Sequence, residues 1–427
     1  MSNKITLKAE GLEGLFIANN RFNTTSVSFN FYLPMSKETV AENALLPFIL
    51  TSCSKDYPSF TALNLKLNKL YGARVNASCE KFADCQLLRM SVSVIDDRFS
   101  FDSDSLVKEA SELLLKLIFN PNVEAEAFLE CDVEREKRKA IEHIKGEIAE
   151  KRIYAKNRLI SEMFAGTPYG IPKCGTVDDV KKVTPESLYK AWKNMLETAF
   201  VRVHVVGAAV PQKLFEDIKS KFETLERHNI TDYKACAPAK PAKKVNTVFE
   251  KMDVKQGKIV MGFSTDMYGD DDVSLPLMVM CDIFGGGPYS RLFTNVREKM
   301  SLCYYCAARS IRFKGLLMVD SGVEVENADK AIDEILNQLE IMKKGEFSDS
   351  EFESSIKSIC DSLNTYYDSQ GALDLWYALK ICNENIYSPQ DIIEKIKQIT
   401  REDVIYAARG VNLHTVYKLL PREGVIC

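Results

Sequence analysis

The sequence predicts an α+β fold of two homologous domains, each an antiparallel sheet covered by helices. Three observations carry that expectation. Alternating strand-like stretches joined by short turns open each half, and helical periodicity follows them, an order that builds antiparallel sheets with helices grouped on a face. A Pro-, Ala- and Lys-rich stretch, Ala235 to Lys244, separates the halves as a linker. The halves also echo one another in letters: Val180-Lys-Lys-Val-Thr-Pro-Glu-Ser-Leu188 matches Ile396-Lys-Gln-Ile-Thr-Arg-Glu-Asp-Val404, and a terminal strand follows each. An offset of roughly 215 residues is too long for a solenoid and marks an internal duplication. The expected domains span 1–230 and 247–427, with 231–246 between them.

The elements follow in order. Strand signals fill residues 4–33, with Asn19-Asn20 as a turn between the clearest pieces. Ala41 to Leu50 reads as a buried helix and Phe60 to Leu70 as an amphipathic one. Strands follow at Arg74–Cys79 and Gln86–Ile95. Leu106, Ala110, Leu113, Leu114 and Leu117 fall at helical spacing, and Asn120-Pro121-Asn122 stops that helix. One long charged helix is expected from about Glu124 to Met163. Thr184-Pro185 starts another, with Thr as cap and Pro in the first turn. After the linker the pattern repeats: strands near Val248 and over Lys258–Ser264, an apolar helix at 275–284, strands at 302–312 and 315–325, then Ile332, Ile335, Leu336, Leu339 and Met342 on one helical face.

Composition narrows the function classes. At 427 residues, with 46% hydrophobic and 27% charged content, the chain is an ordinary globular protein. A net charge of −4 gives no electrostatic footprint for nucleic acid. No apolar run approaches the roughly 20 residues of a membrane span. Met1-Ser-Asn-Lys-Ile lacks the layout of a signal peptide, so the twelve cysteines read as reduced thiols and a cytoplasmic location is expected.

The most informative stretch is Gly285-Gly286-Gly287-Pro288-Tyr289-Ser290-Arg291-Leu292-Phe293, running on to Arg297, Glu298, Lys299 and Tyr304. Three residues without a Cβ permit positive φ or a close backbone approach. This run resembles the Gly-Gly-x-x-Ser-Arg-Leu-Phe-x-x-Leu-Arg-Glu-Lys pattern of the M16 family (insulinase, pitrilysin, mitochondrial processing peptidase), with Val296 in place of the Leu. Thr167-Pro168-Tyr169-Gly170-Ile171-Pro172…Gly175 is similar to a second family turn. Together the two cover both halves, and in detail the chain resembles the non-catalytic bacterial branch found in Firmicutes. The resemblance implies the metallohydrolase fold of the M16/LuxS type.

Active members of that family carry His-x-x-Glu-His, two His for zinc and a Glu to activate water, with a third ligand on a later helix. Here the best register puts Ala44, Pro47 and Phe48 at the motif positions, and the third ligand falls at or beside His143, next to Glu142. The four His of the chain are 143, 204, 228 and 414, and no two are spaced i, i+4. No metal, no cofactor and no catalytic residue are expected of this chain alone. Glu134, Glu136, Glu142, Glu147 and Glu150 alternate with basic residues and read as a solvated helix laced with ion pairs. Cys303-Tyr304-Tyr305-Cys306 lies in a strand signal, where alternation is expected to send the two thiols to opposite faces.

By the same resemblance, Arg297 and Tyr304 are expected to contact substrate, together with Gly285, Gly286 and Gly287. A fixed guanidinium fork and a phenolic O–H suit a carbonyl oxygen that gains charge. The bland alternative is an Arg in a surface ion pair and a Tyr in a half-buried strand. The resulting expectation is a non-catalytic subunit that binds extended or unfolded polypeptide and complements the site of a zinc-bearing M16 paralogue, forming a dimer with it. The alternatives are a scaffold subunit without a proteolytic partner, and a free-standing zinc peptidase with displaced ligands.

Overall fold

The computed structural model describes residues 4–101, 105–211 and 213–422; Met1 to Asn3 of the N-terminal stretch, and Cys427 among the cysteines, lie outside them. The strands are β1 (Lys4–Ala9), β2 (Leu12–Ala18), β3 (Thr24–Pro34), β4 (Arg74–Phe82), β5 (Cys85–Ile95), a two-residue ladder of β6 (Val123–Glu124) and β7 (Ala127–Phe128), β8 (Phe200–Gly207), β9 (Asn246–Met252), β10 (Gly257–Ser264), β11 (Cys303–Ile311), β12 (Leu316–Val323) and β13 (Asn412–Pro421). One sheet has the order β1-β2-β8-β3-β5-β4, the other β9-β13-β10-β12-β11. Without β1 the two orders match strand for strand, as a duplication requires. The fold is α+β, as the patterning predicts, with one difference. Each sheet contains a parallel pair, β2 with β8 and β9 with β13. β8 and β13 are the strands that return after the helices, and a helical crossover allows a parallel return where a hairpin does not.

The helices are α1 (Val40–Leu50), α2 (Phe60–Lys69), α3 (Leu106–Phe119), α4 (Glu130–Ala149), α5 (Lys151–Met163), α6 (Val177–Lys182), α7 (Pro185–Thr198), α8 (Leu214–Phe222), α9 (Asp271–Gly285), α10 (Ala328–Lys344), α11 (Asp349–Asn364), α12 (Gln370–Ala378), α13 (Pro389–Ile396) and α14 (Arg401–Arg409). The five apolar residues singled out on α3 are all buried. The two echoing segments start helices in the same way. Thr184 and Thr400 each accept the N–H of the residue three positions on, in a reciprocal capping box. The single long helix expected to end at Met163 is instead two, α4 and α5, broken at Glu150, whose carboxylate accepts the Arg152 N–H.

That break has a tertiary reason. The chain forms two compact units, and neither is contiguous: one comprises 1–145, 171–235 and 369–381, the other 146–170, 236–368 and 382–427. The sequence boundaries at 230 and 247 do not contain this exchange. It is reciprocal. α5, from the first repeat, packs on β10 and β13, while α12, from the second, packs on β3 and β8, the strands of matching position. Periodicity marks an amphipathic helix but not which of two similar sheets takes its apolar stripe.

In the first unit α12 is docked by polar groups that water does not reach. Asp374 is buried and accepts hydrogen bonds from Ser28 (2.9 Å) and Arg89 (2.5 Å), and it meets Nδ1 of fully buried His204 at 2.6 Å. Gln370 donates to the carbonyls of Thr24 and Val206, spanning β3 and β8, and the Tyr32 hydroxyl donates to Ala378 O at 2.7 Å. In the second unit Glu250 accepts from Tyr154 on α5 (2.7 Å) and from Tyr417 on β13 (2.6 Å). The linker is tied down within that unit as well. Ala239 N–H donates to Lys314 O, and the buried Lys314 ammonium donates to Ala237 O and faces the rings of Phe164 and Tyr169.

Burial lowers the pKa of His204, and although burial would raise that of Asp374, its contacts with His204 and Arg89 hold it below the usual value. Both groups therefore bind protons less readily folded than unfolded. Stability is complete above the unfolded imidazole value near 6.5 and falls as pH drops below it, with a further loss below the carboxylate value of 3.8. Asp374→Asn leaves Arg89 without its counter-ion and is expected to cost about 3 kcal/mol, read as a lower urea midpoint. The variant should keep or steepen the acid sensitivity that wild type shows between pH 7 and 5, because burial still depresses His204 and the Asp374 contacts that raise it are gone, while the further loss below the carboxylate value should disappear.

Candidate functional site

In the first repeat the motif positions lie on α1. Ala44 and Pro47 are buried, and Phe48 is 40% exposed. The residues just past α1 face α4: Ser52 Oγ accepts from Arg135 at 3.1 Å, and the Cys53 thiol meets Asp132 at 3.4 Å. The carboxylates that α4 brings there are thus Asp132 and Glu136. His143 and Glu142 are exposed further along the helix, His143 about 10 Å beyond Glu136 at 1.5 Å per residue. The position assigned to a third ligand, at or beside His143, thus lies about two turns further along α4 than the carboxylates that meet Ser52 and Cys53. Asp132 is paired with Arg135 at 2.6 Å, and buried Glu136 with Arg135 and Lys139 at 2.9 Å each. Among the described residues no three His, Cys, Asp or Glu side chains group to hold a metal. Zinc does not fit this donor set, since α1 offers carbon and the carboxylates already have cations.

The second repeat is organised differently. α9 ends at Gly285, which is buried: a Cβ there would lie 2.5 Å from Ala308 N and 2.7 Å from Ala308 Cβ on β11. This close approach sets the need for glycine. Gly286 does not use the positive φ that glycine permits; it is right-handed helical (φ −79°), and a Cβ would crowd Asp282 of the preceding turn. The loop is folded back by Tyr289, whose hydroxyl donates to Asp282 at 2.5 Å; Ser355 donates to the same oxygen at 2.8 Å. Burial raises the pKa of Asp282. Much of the sequence motif proves to be architecture. Arg291 bonds Gln338, Glu346 O and Glu351, and Leu292 is fully buried.

The segment from Leu292 to Lys299 is a π-helix, an uncommon element that concentrates at functional sites. A left-handed Ser301 then turns the chain into β11. Here the strand departs from regular alternation. Cys303 pairs with Val323, Tyr305 with Gly322 and Cys306 with Ser321, so Tyr304 is an extra residue in a β-bulge. The bulge reverses the expected geometry: Cys303 and Cys306 fall on the same face, and their thiols interact. Tyr304 projects outward, 52% exposed.

Arg297 and Tyr304 are brought together, lining one open cavity of about 380 Å³ with Ser301, Cys303, Glu324 and Asn327. The three glycines are not part of that lining. The Tyr304 hydroxyl donates to Glu324, which raises its pKa. The Arg297 guanidinium lies 3.5 Å from Glu298 and 4.5 Å from the centre of the Phe293 ring. Tyr305 takes the other direction, its ring across Gly322 with the Arg152 guanidinium 4.2 Å away. The cavity can therefore offer one guanidinium and one phenol to an acceptor that displaces their carboxylate partners. Sequence reasoning missed Glu324 and the bulge, because neither is encoded in the spacing of the motif.

Three measurements test these assignments. Gly285→Val should cost about 1–3 kcal/mol by urea denaturation, whereas Gly146→Ala, with open space around it on α4, should be neutral or slightly stabilising. Metal analysis of protein purified without chelators should find well under one zinc per chain. Ala44→His, Pro47→Glu and Phe48→His together should not create an efficient peptidase, because Arg135 and Lys139 still occupy the carboxylates.

The family model described as "Peptidase M16 inactive domain" matches residues 182–359. The chain is 32% identical over 425 residues to a protein of Bacillus subtilis (strain 168) named "Probable inactive metalloprotease YmfF", covering 99% of both chains. Among solved structures, a conserved protein from Enterococcus faecalis V583 superposes with a TM-score of 0.89 at 25% identity, over 96% of this chain and 97% of that one. A protease from Helicobacter pylori shares the fold with a TM-score of 0.78 at 16% identity, over 98% and 99%.

Proposed function

This chain belongs to the M16 peptidase family as an inactive homologue, and on that premise we propose that it is the non-catalytic subunit of a heteromeric M16-type peptidase. In this reading it binds extended polypeptide in the cytoplasm and complements the zinc site of a paralogous partner, with which it forms a dimer. One observation supports it above the others. The first repeat lacks the His-x-x-Glu-His motif, yet the second presents Arg297 and Tyr304 on one cavity, at the end of a π-helix and on a bulge. A cation and a phenol suit a peptide carbonyl that gains negative charge. To serve, Tyr304 must exchange its bond to Glu324 for one to substrate.

That same bond favours the second reading, a scaffold subunit in which Glu298 and Glu324 simply satisfy the two side chains. One experiment separates them. The chain is reconstituted with a paralogue that retains His-x-x-Glu-His, and peptide turnover is measured. Tyr304→Phe should lower turnover, by about 10²–10³ in kcat if the hydroxyl acts as an oxyanion donor or through KM if it positions substrate. Arg297→Ala should act in the same direction, and Tyr305→Phe should be nearly silent. Unchanged turnover in both Tyr304→Phe and Arg297→Ala, with the complex intact, would establish the scaffold reading.

A further inference from the structure

The bulge that carries Tyr304 also builds a site that no part of the proposed function uses. In a regular strand, residues three apart face opposite ways. Because Tyr304 has no partner across the ladder, Cys303 and Cys306 are only two pairing steps apart, opposite Val323 and Ser321, and share a face. Their environments are unequal. Cys303, 9% exposed, lines the open cavity beside Arg297, whereas Cys306, 5% exposed, lies behind that lining. A thiol at a mouth with a second thiol behind it is the arrangement of an attacking and a resolving cysteine.

We propose that Cys303 and Cys306 are a redox-active dithiol that closes to a disulfide by exchange with a low-molecular-weight disulfide entering the cavity. The Cys303 thiolate attacks one sulfur of the small disulfide; that S–S bond breaks, and one half leaves as thiolate with the bonding pair. Cys306 then gives up its proton and attacks the Cys303 sulfur, releasing the second half. Two electrons pass from the protein dithiol to the small disulfide, which becomes two thiols. The charge distribution suits these roles. Contact with the Cys306 thiol, outweighing burial, and assisted by Ser321 and the Arg297 charge, brings Cys303 down to about 7. Cys306 is pushed well up by the same contact and by burial. Thiolate is therefore present at Cys303 at neutral pH, while Cys306 keeps its proton until the mixed disulfide forms.

Ring closure has a mechanical consequence. A disulfide brings its two Cα atoms to within about 4.4–6.8 Å of each other, and Tyr304 sits on the bulge between them. Oxidation therefore changes the presentation of Tyr304 and the wall of the cavity. This last step rests on the peptide-binding reading above; the thiol chemistry does not.

The test uses the full chain, reduced and then exposed to oxidised glutathione, with acid quenching, alkylation and peptide mapping by mass spectrometry. Wild type should yield a Cys303–Cys306 linkage, while buried Cys281, raised to about 12, stays reduced. Cys306→Ser should accumulate a glutathionyl group on Cys303, and Cys303→Ser should leave Cys306 unmodified. Oxidation confined to other cysteines, or no adduct on Cys303 in the Cys306→Ser chain, overturns the proposal. Should either variant fail to fold, the alkylation rate of Cys303 in wild type decides: half-maximal reactivity near pH 7 supports it, and the profile of an ordinary thiol near 8.5 or above overturns it. A disulfide that forms while Tyr304→Phe leaves turnover untouched keeps the dithiol and removes only its link to substrate.

Discussion

Asp374 carries a charge in a place without water, and the first sheet is completed around it. Taking a carboxylate out of water costs several kcal/mol, which must be offset by good donors. Here Ser28 on β3, His204 on β8 and Arg89 on β5 all converge on it. Three strands of the first repeat thereby hold a helix of the second. The matching helix α5 is held on the other sheet by Glu250 and by the Arg152–Asp320 pair. A duplication whose halves exchange equivalent helices cannot be cut at its linker without exposing two apolar helix faces and stranding a buried charge on each sheet. From Cys236 on, the linker, with Lys314 bonded to it, is part of the second unit rather than a tether.

Strand β11 concentrates the differences between the repeats. Near its C-terminal end Ala308 receives Gly285 at a distance no Cβ would tolerate, which fixes where α9 stops and where the glycine loop begins. At its N-terminal end the bulge at Tyr304 turns a phenol outward and two thiols to the same side. Strand bulges commonly re-aim side chains next to functional sites, and this one aims three. The matching strand of the first repeat, β4, pairs with β5 without a bulge. In the first repeat α4 meets the residues just past α1 with carboxylates neutralised by Arg135 and Lys139, an ion-pair network.

Much was legible in the residues themselves. Length and repetition announced two similar α+β halves, because capping boxes, helical periodicity and strand alternation are local signals that survive duplication. The absence of zinc ligands at Ala44, Pro47 and Phe48 was equally plain, since no fold can make a ligand of an alanine. Arg297 and Tyr304 were found by their spacing within a known pattern, and the structure places both on one cavity.

Only the tertiary structure decided the rest, and in each case the deciding partner is distant in the chain. Which sheet receives α5 or α12 depends on Asp320, Glu250, Arg89 and His204, none of them local to the helix concerned. Gly285 is required by Ala308, 23 residues on, rather than by its own φ. The shared face of Cys303 and Cys306 follows from how β11 pairs with β12, where one unpaired residue inverts every alternation argument made from the strand alone. Residue types and their periods determine which elements form and what chemistry is available. Register and exchange determine which of those groups meet, because both are settled by packing between elements that share no local signal.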